Sequence, residues 1–106
     1  MSVVPYSTRI AKGQSSEFYA ASWLSAQGYN IYWRTLDNDP IDMVAINKIK
    51  KEILLIDVKT ASIRKKGSII SRILTPFQKK LGVKILYVYK DGSCKFKADK
   101  RINKKA

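Results

Sequence analysis

Apolar and polar positions along the chain follow two different periods, and the switches between them divide it into elements. From Gln14 to Gln27 (QSSEFYAASWLSAQ) the apolar residues recur at helical spacing; Ser15 or Ser16 is the expected N-cap and Gly28 the residue just past the end. The period then falls to two. Tyr29–Thr35 (YNIYWRT), Ile41–Asn47 (IDMVAIN) and Glu52–Ala61 (EILLIDVKTA) read as three strands, separated by the turn LDNDP and the basic connection KIKK. Thr75–Gly82 (TPFQKKLG) predicts a short helix with Thr75 as N-cap, Pro76 in the first turn and Gly82 as the stop. Val83–Lys90 (VKILYVYK) is a fourth strand, DGS a turn, and CKFK a short edge strand. The order α-β-β-β-α-β predicts an α/β domain, a mixed sheet flanked by helices.

At 106 residues the chain fits one domain, with residues 1–12 expected as a basic, loosely held arm and 98–106 as a basic tail. No histidine is present, which removes imidazole bases, Ser-His-Asp and Cys-His triads and HExxH zinc sites. The single cysteine, Cys94, allows no internal disulfide. No apolar run approaches the roughly 20 residues of a membrane helix, and MSVVPYSTRIAKG lacks the apolar core of a signal peptide. An intracellular protein (cytoplasm or nucleoid) with no membrane partner is therefore expected. The charge of +13, from 21 Lys and Arg against 8 Asp and Glu, favours a polyanion, most commonly nucleic acid.

With so few acids, those in apolar surroundings stand out. In ILLIDVK (Ile53–Lys59), Asp57 and Lys59 share a strand face with Ile53 and Leu55, while Leu54, Ile56 and Val58 line the other. Both faces are apolar toward the start of the strand, as for a central strand covered on two sides. If the second and third strands form a hairpin, Asp42 falls beside Asp57 at the ~4.8 Å spacing of neighbouring strands. Two carboxylates that close repel unless one protonates or a cation joins them. On a helical wheel Glu17 lies among Ala20, Ala21 and Leu24, the small apolar residues that should face the sheet. Glu17, Asp42, Asp57 and Lys59 thus point to one pocket for a hard ion, Mg²⁺ or Mn²⁺, with the backbone carbonyl of Val58 as a further ligand.

The bland alternatives are a surface ion pair for Asp57 and Lys59, a strand-entry acid for Asp42, and helix-dipole complementation for Glu17. Arg34 either contacts phosphate or edges its strand. Arg9, Lys12, Arg64, Lys65, Lys66 and Arg72 act as counter-charge to nucleic acid. Trp23, Trp33, Tyr29 and Tyr32 belong to the core or a dimer interface, with base stacking a second role for Trp33.

PIDMVA followed by LLIDVK resembles the split signature of the PD-(D/E)xK nucleases, with Ile41 standing between Pro40 and Asp42 and Asp57-Val58-Lys59 filling D-x-K. Within that superfamily the chain looks most like the archaeal-type Holliday-junction resolvases: Gly13, Glu17, Gly28, Arg34, Pro40, Asp42, Ala45, Asp57 and Lys59 fall in their order. The loop before Pro40 lacks the longer Gly/Ser-rich segment typical of those resolvases. The resemblance implies a restriction-endonuclease-like core, Mg²⁺-dependent hydrolysis of DNA phosphodiester bonds, branched DNA as substrate in recombination, and a homodimer. It also implies that Asp42 and Asp57 bind metal, that Lys59 activates or positions water, and that Glu17 orients a metal-bound water or assists a second ion. Gln78 in such enzymes lies near metal or phosphate, although Thr75-x-x-Gln78 has capping-box spacing. A site-specific restriction or homing-type endonuclease is the alternative within the enzyme class. A non-catalytic basic nucleic-acid-binding module on the same fold is the alternative outside it.

Overall fold

The computed structural model describes residues 5–36 and 40–98, with side chains from residue 13 onward. Helix α1 (Pro5–Ala26) is followed by strands β1 (Asn30–Trp33), β2 (Met43–Asn47) and β3 (Glu52–Thr60). Helix α2 (Pro76–Leu81) and strands β4 (Lys84–Val88) and β5 (Cys94–Phe96) complete the domain. The five strands lie in the order β1-β2-β3-β4-β5. β1, β2 and β3 form an antiparallel meander, β3 and β4 are parallel, and β5 returns antiparallel to β4. The mixed sheet and the element order agree with the expectation from the sequence, and the fifth strand is the predicted edge strand.

One sheet face makes the core. Met43, Ala45, Leu54, Ile56, Leu86 and Val88 point to it and pack against Ala20 and Leu24 of α1. Trp23 joins from the helix and meets Phe96 edge-on, the ring centroids 5.7 Å apart. The helix ends as predicted. Gly28 adopts φ 95°, its N–H reaches the Ser25 carbonyl, and the Tyr29 N–H reaches that of Leu24. These are the two bonds of a Schellman motif, sealed by the buried pair Leu24 and Tyr29.

The start of α1 differs from the expectation. Backbone helix runs from Pro5 straight through Gly13, so the segment 5–12 is helix and not a loose arm. Proline in the first helical turn is tolerated, and an internal glycine costs only about 1 kcal/mol relative to alanine, so Gly13 marks no boundary. Ser15 and Ser16 therefore lie mid-helix and cap nothing. Ser16 is buried, and its Oγ lies 2.6 Å from Thr60 Oγ1, fixing helix to sheet. Residues 1–4 of the expected arm and 99–106 of the expected tail lie outside the described residues.

Cover on β3 also departs from the two-sided burial expected. At its start Ile53 is 65% exposed, so the second face is open there. At its end that same face closes over Asp57, Ile85 and Tyr87, all buried. The segment between β3 and β4 supplies the lid: the Arg72 N–H donates to Tyr87 Oη at 2.8 Å, and Gln78 Nε2 donates to the Pro40 carbonyl at 2.8 Å. α2 forms as its sequence dictates. Thr75 Oγ1 accepts from Gln78 N–H, Gln78 Oε1 accepts from Thr75 N–H, and Gly82 closes the helix at φ 81°. The polar end of β3 is thus the more enclosed end, which raises the cost of every charge placed there.

Candidate active site

The hairpin register delivers the two central acids. Met43 pairs with Ile56, and the Asp42 N–H donates to the Ile56 carbonyl at 2.8 Å, so Asp42 stands opposite Asp57 one step further on. Residues opposite one another in an antiparallel pair share a face. The basic connection that sets this register is built by Asn47, whose Oδ1 accepts from the N–H groups of Ile49 and Lys50.

Asp42 is tightly held. Its Oδ2 accepts the Val58 N–H at 2.7 Å, and its Oδ1 accepts from Arg34 Nη1 at 3.0 Å. Arg34 Nη1 also lies 3.0 Å from each carboxylate oxygen of Glu17. On the other side Lys59 Nζ sits 3.4 Å from Asp57 Oδ2. The four residues expected to converge do so as a chain, Glu17–Arg34–Asp42 beside Asp57–Lys59. Arg34, read as a phosphate contact or strand edge, is the link that the sequence reading did not supply; its place directly after the aromatic strand and eight residues before Asp42 is the only signal for it. Both oxygens of Glu17 face the Arg34 guanidinium, which makes this residue a charge partner for Arg34.

Burial pushes the Asp42 carboxyl up to about 6. The Val58 N–H and the Arg34 guanidinium oppose the rise, while the Asp57 carboxylate adds to it by charge and by a side-chain hydrogen bond. The Asp57 contribution is the crowding of carboxylates anticipated from the sequence, added to a larger effect of burial.

A stability signature follows from it. A carboxyl whose folded value lies above its unfolded value holds its proton longer when folded. Stability from Asp42 is therefore complete below the unfolded value near 3.8, and falls as pH rises to about 6. Discounted for the carboxyl's partial exposure, the loss between pH 4.5 and pH 7.5 is on the order of 1 kcal/mol, at roughly 1.36 kcal/mol per unit. Denaturant unfolding of wild type and Asp42→Asn at pH 4.5 and pH 7.5 measures it. The wild type should lose stability relative to the variant across that interval, because asparagine does not titrate.

The donors fit one hard cation. Asp42 and Asp57 both supply carboxylate oxygens, and a cation between them would offset the burial of charge and the carboxylate repulsion that together raise Asp42. Since Ile56 turns its carbonyl toward β2, Val58 turns its own the same way by strand alternation, beyond the end of β2 and toward Asp42. The fit is to two carboxylates and a carbonyl. Among the described residues no three His, Cys, Asp or Glu side chains gather as a metal-holding group, so the three-carboxylate cradle expected is not formed.

The remaining expected residues fall in three places. Gln78 is buried with both amide atoms engaged, one in the cap and one on the Pro40 carbonyl, so it positions the segment leading to Asp42 rather than offering itself to phosphate. Arg64, Lys65 and Lys66 crown a small exposed hairpin, closed by the Ile63–Ile69 bridge and by bonds from Arg64 N–H to the Ser68 carbonyl and from Gly67 N–H to the Arg64 carbonyl, both at 2.8 Å. Arg72 is exposed at its foot, its carbonyl accepting from Lys97 Nζ. The side chains of Arg9 and Lys12 lie outside the described residues.

No protein-family model matches the chain, and no curated protein matches it. No helix among the described residues is long and apolar enough to cross a membrane.

Proposed function

We propose that this protein is a metal-dependent DNA endonuclease, acting on branched DNA as the Holliday-junction resolvases do. The observation that carries the reading is the Asp42–Asp57 pair, two crowded carboxylates on neighbouring strands with Lys59 beside them and a basic hairpin immediately downstream. A structural ion pair gains nothing from a second acid that adds to the rise burial already imposes on the first, to about 6. A cation site does.

Asp42, Asp57 and the Val58 carbonyl would hold Mg²⁺ or Mn²⁺. The ion, when bound, lowers the pKa of water and neutralises charge on the scissile phosphate. Asp57 holds the Lys59 ammonium at 3.4 Å, where it can meet a non-bridging phosphate oxygen or orient the attacking water. Val58 N–H and Arg34 fix the Asp42 carboxylate, so that the pair is preorganised. Arg64, Lys65, Lys66 and Arg72 neutralise flanking phosphates. Cutting both strands of a junction takes two sites related by a twofold axis. The open apolar face around Ile53, with half-buried Val44, Ile46 and Leu55, supports a homodimer.

One observation favours a second reading. Arg34 already offsets charge on Asp42 and Glu17, as it would in a non-catalytic DNA-binding module that needs no metal. Purified protein incubated with supercoiled plasmid and with a synthetic four-way junction separates the two. Nicking in Mg²⁺ that stops in EDTA is expected of the nuclease. A mobility shift unaffected by EDTA, with no nicking in Mg²⁺ or Mn²⁺, would establish the binding module instead.

A further inference from the structure

Beside the acids, two consecutive pairs of residues face each other across α1 and β1. Glu17 meets Arg34 through the ion pair, and Phe18 meets Trp33 with ring centroids 5.6 Å apart and planes inclined by 60°. They line a pocket of about 400 Å³ together with Gln14, Thr35 and Leu36. That volume lies within the ~300–1,000 Å³ range of small-ligand sites. Phe18 is 66% and Trp33 45% exposed, although Trp33 ends a strand whose neighbours pack the core. The aromatic rings form the pocket's wall and the Glu17–Arg34 pair its polar floor. Through Arg34 Nη1 the floor connects directly to Asp42.

We propose that this pocket binds one unpaired nucleobase of the DNA substrate, stacked on the outward face of Trp33 and contacting Arg34 and Glu17 through its polar edge. The inference rests on the nuclease reading for its ligand class. The rings touch each other, so the base lies against the wall and not between them. Stacking is indifferent to sequence because every base offers a π-face. An apolar wall with an acceptor and a donor on its floor suits a base, and the basic chain supplies the attraction that brings nucleic acid to it. The pocket would thereby select DNA with unpaired or splayed nucleotides, such as a branch point, over a closed duplex.

The test uses the full chain in EDTA, where nothing is cut. The probes are a short single-stranded oligonucleotide carrying one 2-aminopurine, and a relaxed, covalently closed circular duplex with neither ends nor unpaired bases. Wild type should quench the 2-aminopurine on binding. Trp33→Ala should abolish the quench and weaken single-strand binding by roughly tenfold to a hundredfold, while affinity for the circular duplex stays within about twofold. Trp33→Phe should restore most of both, and Phe18→Ala should weaken the quench. The proposal is overturned if Trp33→Ala binds and quenches as wild type does. It is equally overturned if both probes lose affinity alike, or if the variant converts a dimer to a monomer, which would assign the wall to a second copy. Quenching without cleavage in any divalent metal would sink the nuclease reading and leave the pocket standing. Mg²⁺-dependent cleavage without quenching would do the reverse.

Discussion

Asp57→Asn and Lys59→Ala should each reduce Mg²⁺-dependent cleavage by at least about a hundredfold, the scale seen when one preorganised group is removed from a developing charge. DNA binding in the same variants separates loss of chemistry from loss of fold. Asp57→Asn removes a negative charge from a surface that meets phosphate, so its affinity for DNA should stay level or rise. Lys59→Ala removes a half-buried cation and leaves Asp57 without its amine, so its affinity should fall slightly and its stability somewhat more. Gel shift at fixed salt, nicking assays and thermal unfolding on the three proteins read these effects. A variant that binds DNA, melts cooperatively and does not cut is the expected phenotype. If both variants cut at the wild-type rate, Asp57 and Lys59 are an ion pair and no more.

The second large effect belongs to the basic hairpin. Replacing Arg64, Lys65 and Lys66 together by alanine should lower DNA affinity about tenfold or more at low salt, and should make the slope of log affinity against log salt shallower by up to about 3. Stability should change by no more than about 0.5 kcal/mol, because all three side chains are exposed at a turn that backbone bonds close. Fluorescence anisotropy between 50 and 200 mM salt, a range in which phosphate contacts are well resolved, measures both quantities. An unchanged slope would move the DNA track elsewhere, for instance to the N-terminal turns of α1.

Much of this architecture could be read from local chemistry, because local chemistry decides it. TPFQKKLG forms the predicted helix with both capping-box bonds, and Gly28 and Gly82 end helices where a positive φ is required. The apposition of Asp42 and Asp57 was legible for a different reason. A hairpin with a known turn has one register, and a count along two strands then places side chains to within a residue. Neither argument reaches contacts between elements distant in sequence. Nothing local in Gln14–Gln27 shows that helix continues back to Pro5, because a mid-helix glycine and a cap look alike in sequence. Nothing local shows that residues 62–82 fold over the end of β3 and leave its start open.

Charge partnership was the least legible feature. Glu17 was placed correctly on the sheet-facing side of its helix, yet its partner is the Arg34 guanidinium, which reaches it from the end of β1. A wheel gives direction and not distance, and a long flexible arginine can join acids that strands and helices hold apart. The same bridge explains how a short chain keeps two acids near the core. Glu17 and Asp42 share one guanidinium nitrogen, Asp42 takes a backbone N–H, and Asp57 takes an amine. The other described acids are also partnered: Glu52 accepts from the Tyr29 hydroxyl, and Asp91 from Ser93. What sets Asp42 apart is that its partners do not offset its burial beside a second carboxylate, since it remains raised to about 6.

The crowding of these two carboxylates is the account's central claim, and a cation is the species that would relieve it. Calorimetric titration of Mn²⁺ into DNA-free protein at pH 6, where the Asp42 carboxyl is about half protonated, tests it most directly. The account predicts saturable binding that releases protons, and that disappears in both Asp42→Asn and Asp57→Asn while Glu17→Gln retains it. Binding that persists unchanged in those two asparagine variants, or no binding by the wild type, would contradict it.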